Sequence, residues 1–171
     1  MSAIFYNDIA NRVISGMNIP LGQKTKYRNF TTKMVGSIFR GTYHKVKRRI
    51  INRYKAKGLD EETLIKIAER LERFAKSEAF KLTRSFNHEF INLLCEYGLT
   101  GPIAGTCYAF ANRIYKIMSE YEHPVRDALI NATIIYFHNA YYLDKDLMTD
   151  IVGIIDKYYN KIRDKIETLE V

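Results

Sequence analysis

The sequence predicts an all-α fold, a C-terminal four-helix bundle preceded by an extended, basic N-terminal helical arm. Three observations predict it. Apolar residues recur at three- and four-residue spacings along the 171-residue chain. Only three prolines and nine glycines are present, too few for a turn-rich β architecture. Hydrophobic residues make up 47% of the total, enough to fill the core of a compact domain.

The elements follow in order. Ile4 to Ile14 reads as a short helix, and the Gly16–Gly22 stretch with Pro20 breaks it. A longer helix is expected from about Thr32 to Lys57. Phe39, Tyr43, Val46, Ile50 and Tyr54 lie on one face of it, while Lys45, Arg48, Arg49 and Lys55 point away. Gly58 suits the left-handed position that stops a helix, and Asp60 can cap the next. Glu61 and Glu62 favour that N-terminus through the helix dipole. This second long helix is expected to reach about Tyr97, with Leu64, Ile67, Leu71, Phe74, Leu82 and Phe86 as its apolar stripe. Lys66, Arg70, Arg73, Lys81 and Arg84 fall within one arc opposite the stripe. With Glu69 and Glu72 beside them, they read equally as a second contact surface or as a solvated face.

Gly98 through Pro102 is a break, and a helix starting with Pro102 is expected to run to about Tyr121. Pro124 opens another, to about Tyr142. Asp144 or Asp146 caps a last one ending near Thr168. These three and the end of the second long helix compose the expected bundle. The uncharged run Ala128 to Leu143 is apolar on more than one side, the pattern of the most buried bundle member or of a subunit interface. It is too short, and with Asn131, Thr133, His138 and Asn139 too polar, to span a bilayer.

Charge divides the chain after Lys57. Residues 1–57 carry 13 Lys+Arg and one acid, Asp8, for +12; residues 58–171 carry 14 Lys+Arg and 18 acids, for −4. The expected domains are therefore a basic helical arm over 1–57 and a helical bundle over 58–171, whose first helix can continue the arm. Such asymmetry points to a polyanionic partner, and nucleic acid is the commonest. A solubilising or membrane-surface tail would not need the helical order seen here. The candidate DNA contacts are Lys24, Lys26, Arg28, Lys33, Arg40, Lys45, Lys47, Arg48, Arg49, Arg53, Lys55 and Lys57, joined by Lys66, Arg70, Arg73, Lys81 and Arg84.

Catalytic patterns are missing. His44, His88, His123 and His138 form no HExxH pair and no metal-ligand spacing with carboxylates. Cys95 and Cys107 cannot make a disulfide framework or a four-ligand zinc site, and Cys107 suits the core. No GxxxxGK[ST] loop is present, so no enzymatic activity, metal or cofactor is expected. The first thirty residues lack a signal-peptide pattern, and a soluble intracellular chain is expected. The 13 tyrosines and nine phenylalanines sit mostly at helical spacing. That favours packing, and duplex backbone binding over stacking on unpaired bases.

The segment Glu96-Tyr97-Gly98-Leu99-Thr100-Gly101-Pro102, then a helix carrying Tyr108, Phe110, Arg113 and Ile114, resembles the coat proteins of filamentous archaeal viruses, the rudivirus and lipothrixvirus group. Tyr141-Tyr142 and the apolar segment Ile151 to Ile155 look similar too, so the resemblance covers about residues 91–156. The arm matches only in being basic and helical, and its length leans toward the lipothrixvirus-like branch. The resemblance implies a major capsid protein whose paired N-terminal arms wrap linear double-stranded DNA, held in A form, while bundles build the shell. It implies a second coat subunit (homodimer or paralogous heterodimer) in a helical polymer, a possible lipid envelope, assembly in the host cytoplasm, and a place in the virion. Two +12 segments would neutralise about 24 phosphates, roughly 12 base pairs or one helical turn. The charge pattern alone leaves two other classes open. One is a non-structural nucleic-acid-binding module, such as a small subunit of an RNA-guided defence complex. The other is a regulator docking on an acidic protein.

Overall fold

A computed structural model describes residues 4–171 as eight α-helices and one 3-10 turn, with no strand among the described residues. The helices are α1 (Tyr6–Val13), α2 (Lys24–Phe39), α3 (Tyr43–Ala56), α4 (Glu61–Phe74), α5 (Glu78–Glu96), α6 (Gly101–Glu120), α7 (Val125–Tyr141) and α8 (Lys145–Glu167). The protein is all-α.

Local chemistry sets most boundaries. The Asp60 carboxylate accepts from the Thr63 backbone N–H at 3.0 Å, the N-cap bond that starts α4. Asp144 does the same for α8, accepting from the N–H groups of Asp146 and Leu147 at 2.7 and 3.1 Å. Gly58, at φ 93°, closes α3. The Leu59 N–H returns to the Tyr54 carbonyl and the Gly58 N–H to the Lys55 carbonyl, the two bonds of a Schellman motif, with Leu59 buried.

The single helix expected over Thr32–Lys57 is two helices, α2 and α3, and α2 begins earlier, at Lys24. The break at Arg40–Thr42 is a second Schellman motif: Gly41 sits at φ 73°, Thr42 N–H bonds Ser37 O at 2.9 Å, and Gly41 N–H bonds Ile38 O at 3.1 Å. The helix expected from Asp60 to Tyr97 is likewise interrupted, at Ala75–Ser77. Ser77 Oγ accepts from the Phe80 N–H at 3.2 Å and donates to the Phe74 carbonyl at 2.6 Å. That turn packs Phe74 and Phe80 against each other and both against Phe39, which stacks on Tyr6 at 5.1 Å.

Two compact units result, one of residues 5–84 and 162–171, the other of residues 85–161 with Ile4. The division does not fall after Lys57. Residues 5–57 are not an arm standing apart from α4, because α1 and α2 bury Ile9, Val13, Tyr27, Phe30, Met34 and Val35 in the same unit that buries Leu64, Ile67, Leu71 and Phe74. Each such side chain contributes about 1.5–3 kcal/mol by leaving water. Tyr27 also accepts the Asp60 N–H through its hydroxyl at 2.8 Å, which joins α2 to the start of α4.

The second unit draws on the later part of α5, on α6 and α7, and on most of α8. Phe86, Phe90, Cys107, Phe110, Ile114, Ile151 and Ile155 fill its core. Phe90 stacks on Tyr108 at 4.9 Å, and Lys157 pairs with Glu89 at 2.7 Å. The expectation that residues 128–143 form its most buried member is corrected: α7 buries only Phe137. Its apolar residues are spread around the helix without a periodic stripe, so α6 covers a single side.

Candidate nucleic-acid interface

Charge segregates with the compact units. Residues 5–84 and 162–171 carry 21 Lys+Arg and 10 acids, net +11; residues 85–161 carry 6 and 9, net −3. The Schellman turn at Gly41 folds α2 and α3 into a helical hairpin, and its two helices bring the densest cations together.

Lys33 on α2 is the centre of that cluster. Its ammonium is held below the usual lysine range, first by partial desolvation, then by the positive charges of Arg53, Lys57, Arg40 and Arg49. Lys33 and Arg40 lie seven residues apart on one face of α2, and Arg49, Arg53 and Lys57 follow at four-residue steps along α3. The Arg40 guanidinium lies across Gly36, where a β-carbon would come within 2.9 Å of Nη1. Lys57 sits over the Tyr54 ring, 4.7 Å from its centre. Lys33, Arg49 and Arg53 form no salt bridge with any carboxylate among the described residues. Five like charges held on two helices favour a polyanion that spans them.

Other candidates are engaged inside the protein. Lys55 and Arg48 both pair with Glu61, at 2.7 and 3.2 Å, and the Glu61 carboxyl is held below the usual range by Lys55 and then Arg48. Lys47 pairs with Glu72 at 3.1 Å, Lys66 with Glu62 at 3.7 Å, and Lys81 with Glu78 at 3.3 Å. Arg84 lies over the Phe80 ring at 5.4 Å. Arg70 donates to backbone carbonyls of the α1 end. Because the chain breaks at Ala75–Ser77, Lys81 and Arg84 do not continue one helical arc with Lys66, Arg70 and Arg73.

The remaining cations face solvent or line a cavity. Lys26, Lys45 and Arg73 are exposed. Lys24 and Arg28, at the start of α2, line a cavity of about 570 Å³ with Asn11, Ser15 and Gly16. The sequence reading had not included those last three residues. Their signal was the Gly16 break itself, which returns the chain past the end of α1. Glu61 was read only as a helix-start acid, although it stands six residues after Lys55 across the Gly58 turn.

Cys95 is exposed and Cys107 buried, both as free thiols. His88 is exposed, while its neighbour Glu89 turns to Lys157. No group of three or more His, Cys, Asp or Glu among the described residues is placed to hold a metal ion, and no helix there is long and apolar enough to cross a membrane. No known protein family, characterised protein or solved structure matches this chain.

Proposed function

We propose that this chain is a structural protein that coats double-stranded DNA without reading its sequence, the major capsid protein of a filamentous virion. The cluster of Lys33, Arg40, Arg49, Arg53 and Lys57 carries the reading, because cations crowded on a helical hairpin, three of them (Lys33, Arg49 and Arg53) without a carboxylate partner among the described residues, suit the regular phosphates of a duplex. In this reading the basic helices up to Lys57 are the DNA clamp. The four helices from the end of α5 onward are the bundle that builds the shell with a second coat subunit. Also in support are the +11 charge of the unit holding α1–α4, and the Tyr97–Pro102 turn with its likeness to rudivirus and lipothrixvirus coats. A-form DNA and an enveloping lipid layer belong to that likeness. Helices enclosing phosphates would lower hydration, which favours A-like geometry; a B-form circular dichroism spectrum of the assembled particle would count against it.

Electron microscopy of the purified protein mixed with linear duplex tests the function. Long regular filaments that protect DNA from nuclease are expected, and absence of DNA binding overturns the reading in favour of an acidic protein partner. The packing of α1 and α2 into a compact unit favours a second reading, a non-structural nucleic-acid-binding subunit such as that of an RNA-guided defence complex. Discrete particles in place of filaments would decide for it.

A further inference from the structure

Helix α7 runs for 17 residues and buries one of them, Phe137, whose ring packs edge-on against Phe110 at 5.3 Å. A helix of that length is marginal in water on its own, and most helices in proteins are held by the burial of an apolar face. Leu129, Ile130 and Ile134 are half-buried, and other apolar side chains point outward. Ile135 is 53% exposed, Tyr136 56% and Tyr142 89%. Tyr142 takes the left-handed position that ends α7, at φ 58°, and the turn it makes buries Leu143, whose carbonyl lies 2.8 Å from His138 Nδ1, while the Tyr142 ring itself is left in solvent.

We infer that α7 is a self-association surface, covered by the α7 of a second copy running antiparallel to it. Three features point to a second copy. First, from Ala128 to Leu143 there is no charged residue, in a chain of net charge +8 whose copies otherwise repel. A surface that meets itself must not place like charges opposite each other, and this one has none to place. Second, Ala128 and Ala132 share a face with Ile135 and Tyr136, the small pair toward the N-terminus and the bulky pair toward the C-terminus. Reversing one copy seats Ile135 and Tyr136 over the other copy's Ala128 and Ala132, as a two-fold interface requires. Asn131 borders the face and Asn139 lies within it, and an amide can both donate to and accept from its own kind. Third, the area is sufficient in scale. At roughly 200 Å² per tyrosine side chain, the exposed parts of Tyr136 and Tyr142 offer about 300 Å², over a third of the ~800 Å² that each partner buries in a stable complex. Ile135, Val125 (53% exposed) and the small residues add to it.

The inference shares with the proposed function only the need for a second subunit, and it is tested without nucleic acid, so the two fail separately. Sedimentation of the full chain at micromolar concentration is expected to show a dimer. The Ile135→Asp, Tyr136→Asp double variant is expected to dissociate about tenfold or more readily, with helical circular dichroism unchanged. Spin labels introduced in a Cys95→Ser background fix the direction. With antiparallel pairing, the distance between labels at Ala140 exceeds that between labels at Thr133, both beside the face and not in it, by about 10 Å, given 1.5 Å of rise per residue and axes 8–10 Å apart. A monomer at all concentrations, a dimer indifferent to the double substitution, or equal label distances would each overturn the inference. So would a monomer that co-floats with phosphatidylcholine vesicles, which would give the face to lipid.

Discussion

Arg70 donates through one guanidinium nitrogen, Nη1, to the Val13 carbonyl at 2.8 Å and to the Ser15 carbonyl at 3.0 Å. The last carbonyls of a helix lack intrahelical partners and carry the negative end of its dipole. A cation from α4 placed there satisfies both needs and clasps α1 against α4. Arg12 plays a similar part, donating through Nε and Nη2 to the Leu169 carbonyl at 3.1 and 2.7 Å.

Arg70→Ala is therefore expected to lower stability by about 1–3 kcal/mol, the cost of leaving charge-assisted hydrogen bonds unmade. Urea unfolding measures it. The salt dependence of duplex binding by the folded variant should stay that of the unsubstituted chain, and a reduced slope would return Arg70 to the DNA surface.

Lys33→Gln, Arg49→Gln and Arg53→Gln are expected to behave in the opposite way. Each should lower the slope of log affinity against log salt by about one, uniformly across DNA sequences. Thermal unfolding should be unchanged or slightly delayed, since each substitution relieves repulsion within the Lys33 cluster.

Glu61 holds two candidate contacts, Lys55 and Arg48, away from any ligand. Glu61→Gln releases both, and duplex affinity at low salt is expected to rise, with a slope steeper by up to about two. Fluorescence anisotropy over a salt series reads this directly; unchanged binding would exclude that side of α3 from the interface.

Asp8 gives a pH signature. Its Oδ2 is buried without a hydrogen-bond donor, 3.7 Å from Arg163, and burial raises the carboxyl above its ordinary 3.8 while Arg163 partly offsets the rise. A raised acid binds its proton more tightly in the folded state. Its contribution to stability is therefore present at low pH and is lost as pH climbs from the unfolded value through the folded one. Asp8→Asn is expected to raise the melting temperature at pH 7, and the gain should shrink to nothing as pH falls below the ordinary carboxylate range.

Several helical boundaries were legible from a single residue. Asp60 and Asp144 carry N-cap side chains, and Gly58 takes the left-handed position after α3, all visible as residue types before any packing is known. The break at Gly41 carried the same signature. It was obscured because the spacing of Phe39, Tyr43, Val46, Ile50 and Tyr54 continues across it as though one helix ran through. Ser77 was obscured in the same way, by a stripe that runs on from Phe74 to Leu82 and Phe86. A helical period survives a short turn whenever both helices bury the same side, so periodicity alone reports the apolar face but not the interruption.

From its order of residues alone, the chain determined that it would be helical, where its caps stand, and that its cations crowd the first third. Those properties reside in single side chains and their near neighbours, so no fold is needed to express them. Tertiary structure alone decided which cations remain without a carboxylate partner. Glu61 and Glu72 reach Lys55, Arg48 and Lys47 only after the Gly58 turn and the α3–α4 packing bring them near, and those contacts leave Lys33, Arg49 and Arg53 for another partner. It also decided that α7 would show its apolar side to solvent. Burial depends on which surfaces the rest of the chain can reach, and that is a property of the whole fold.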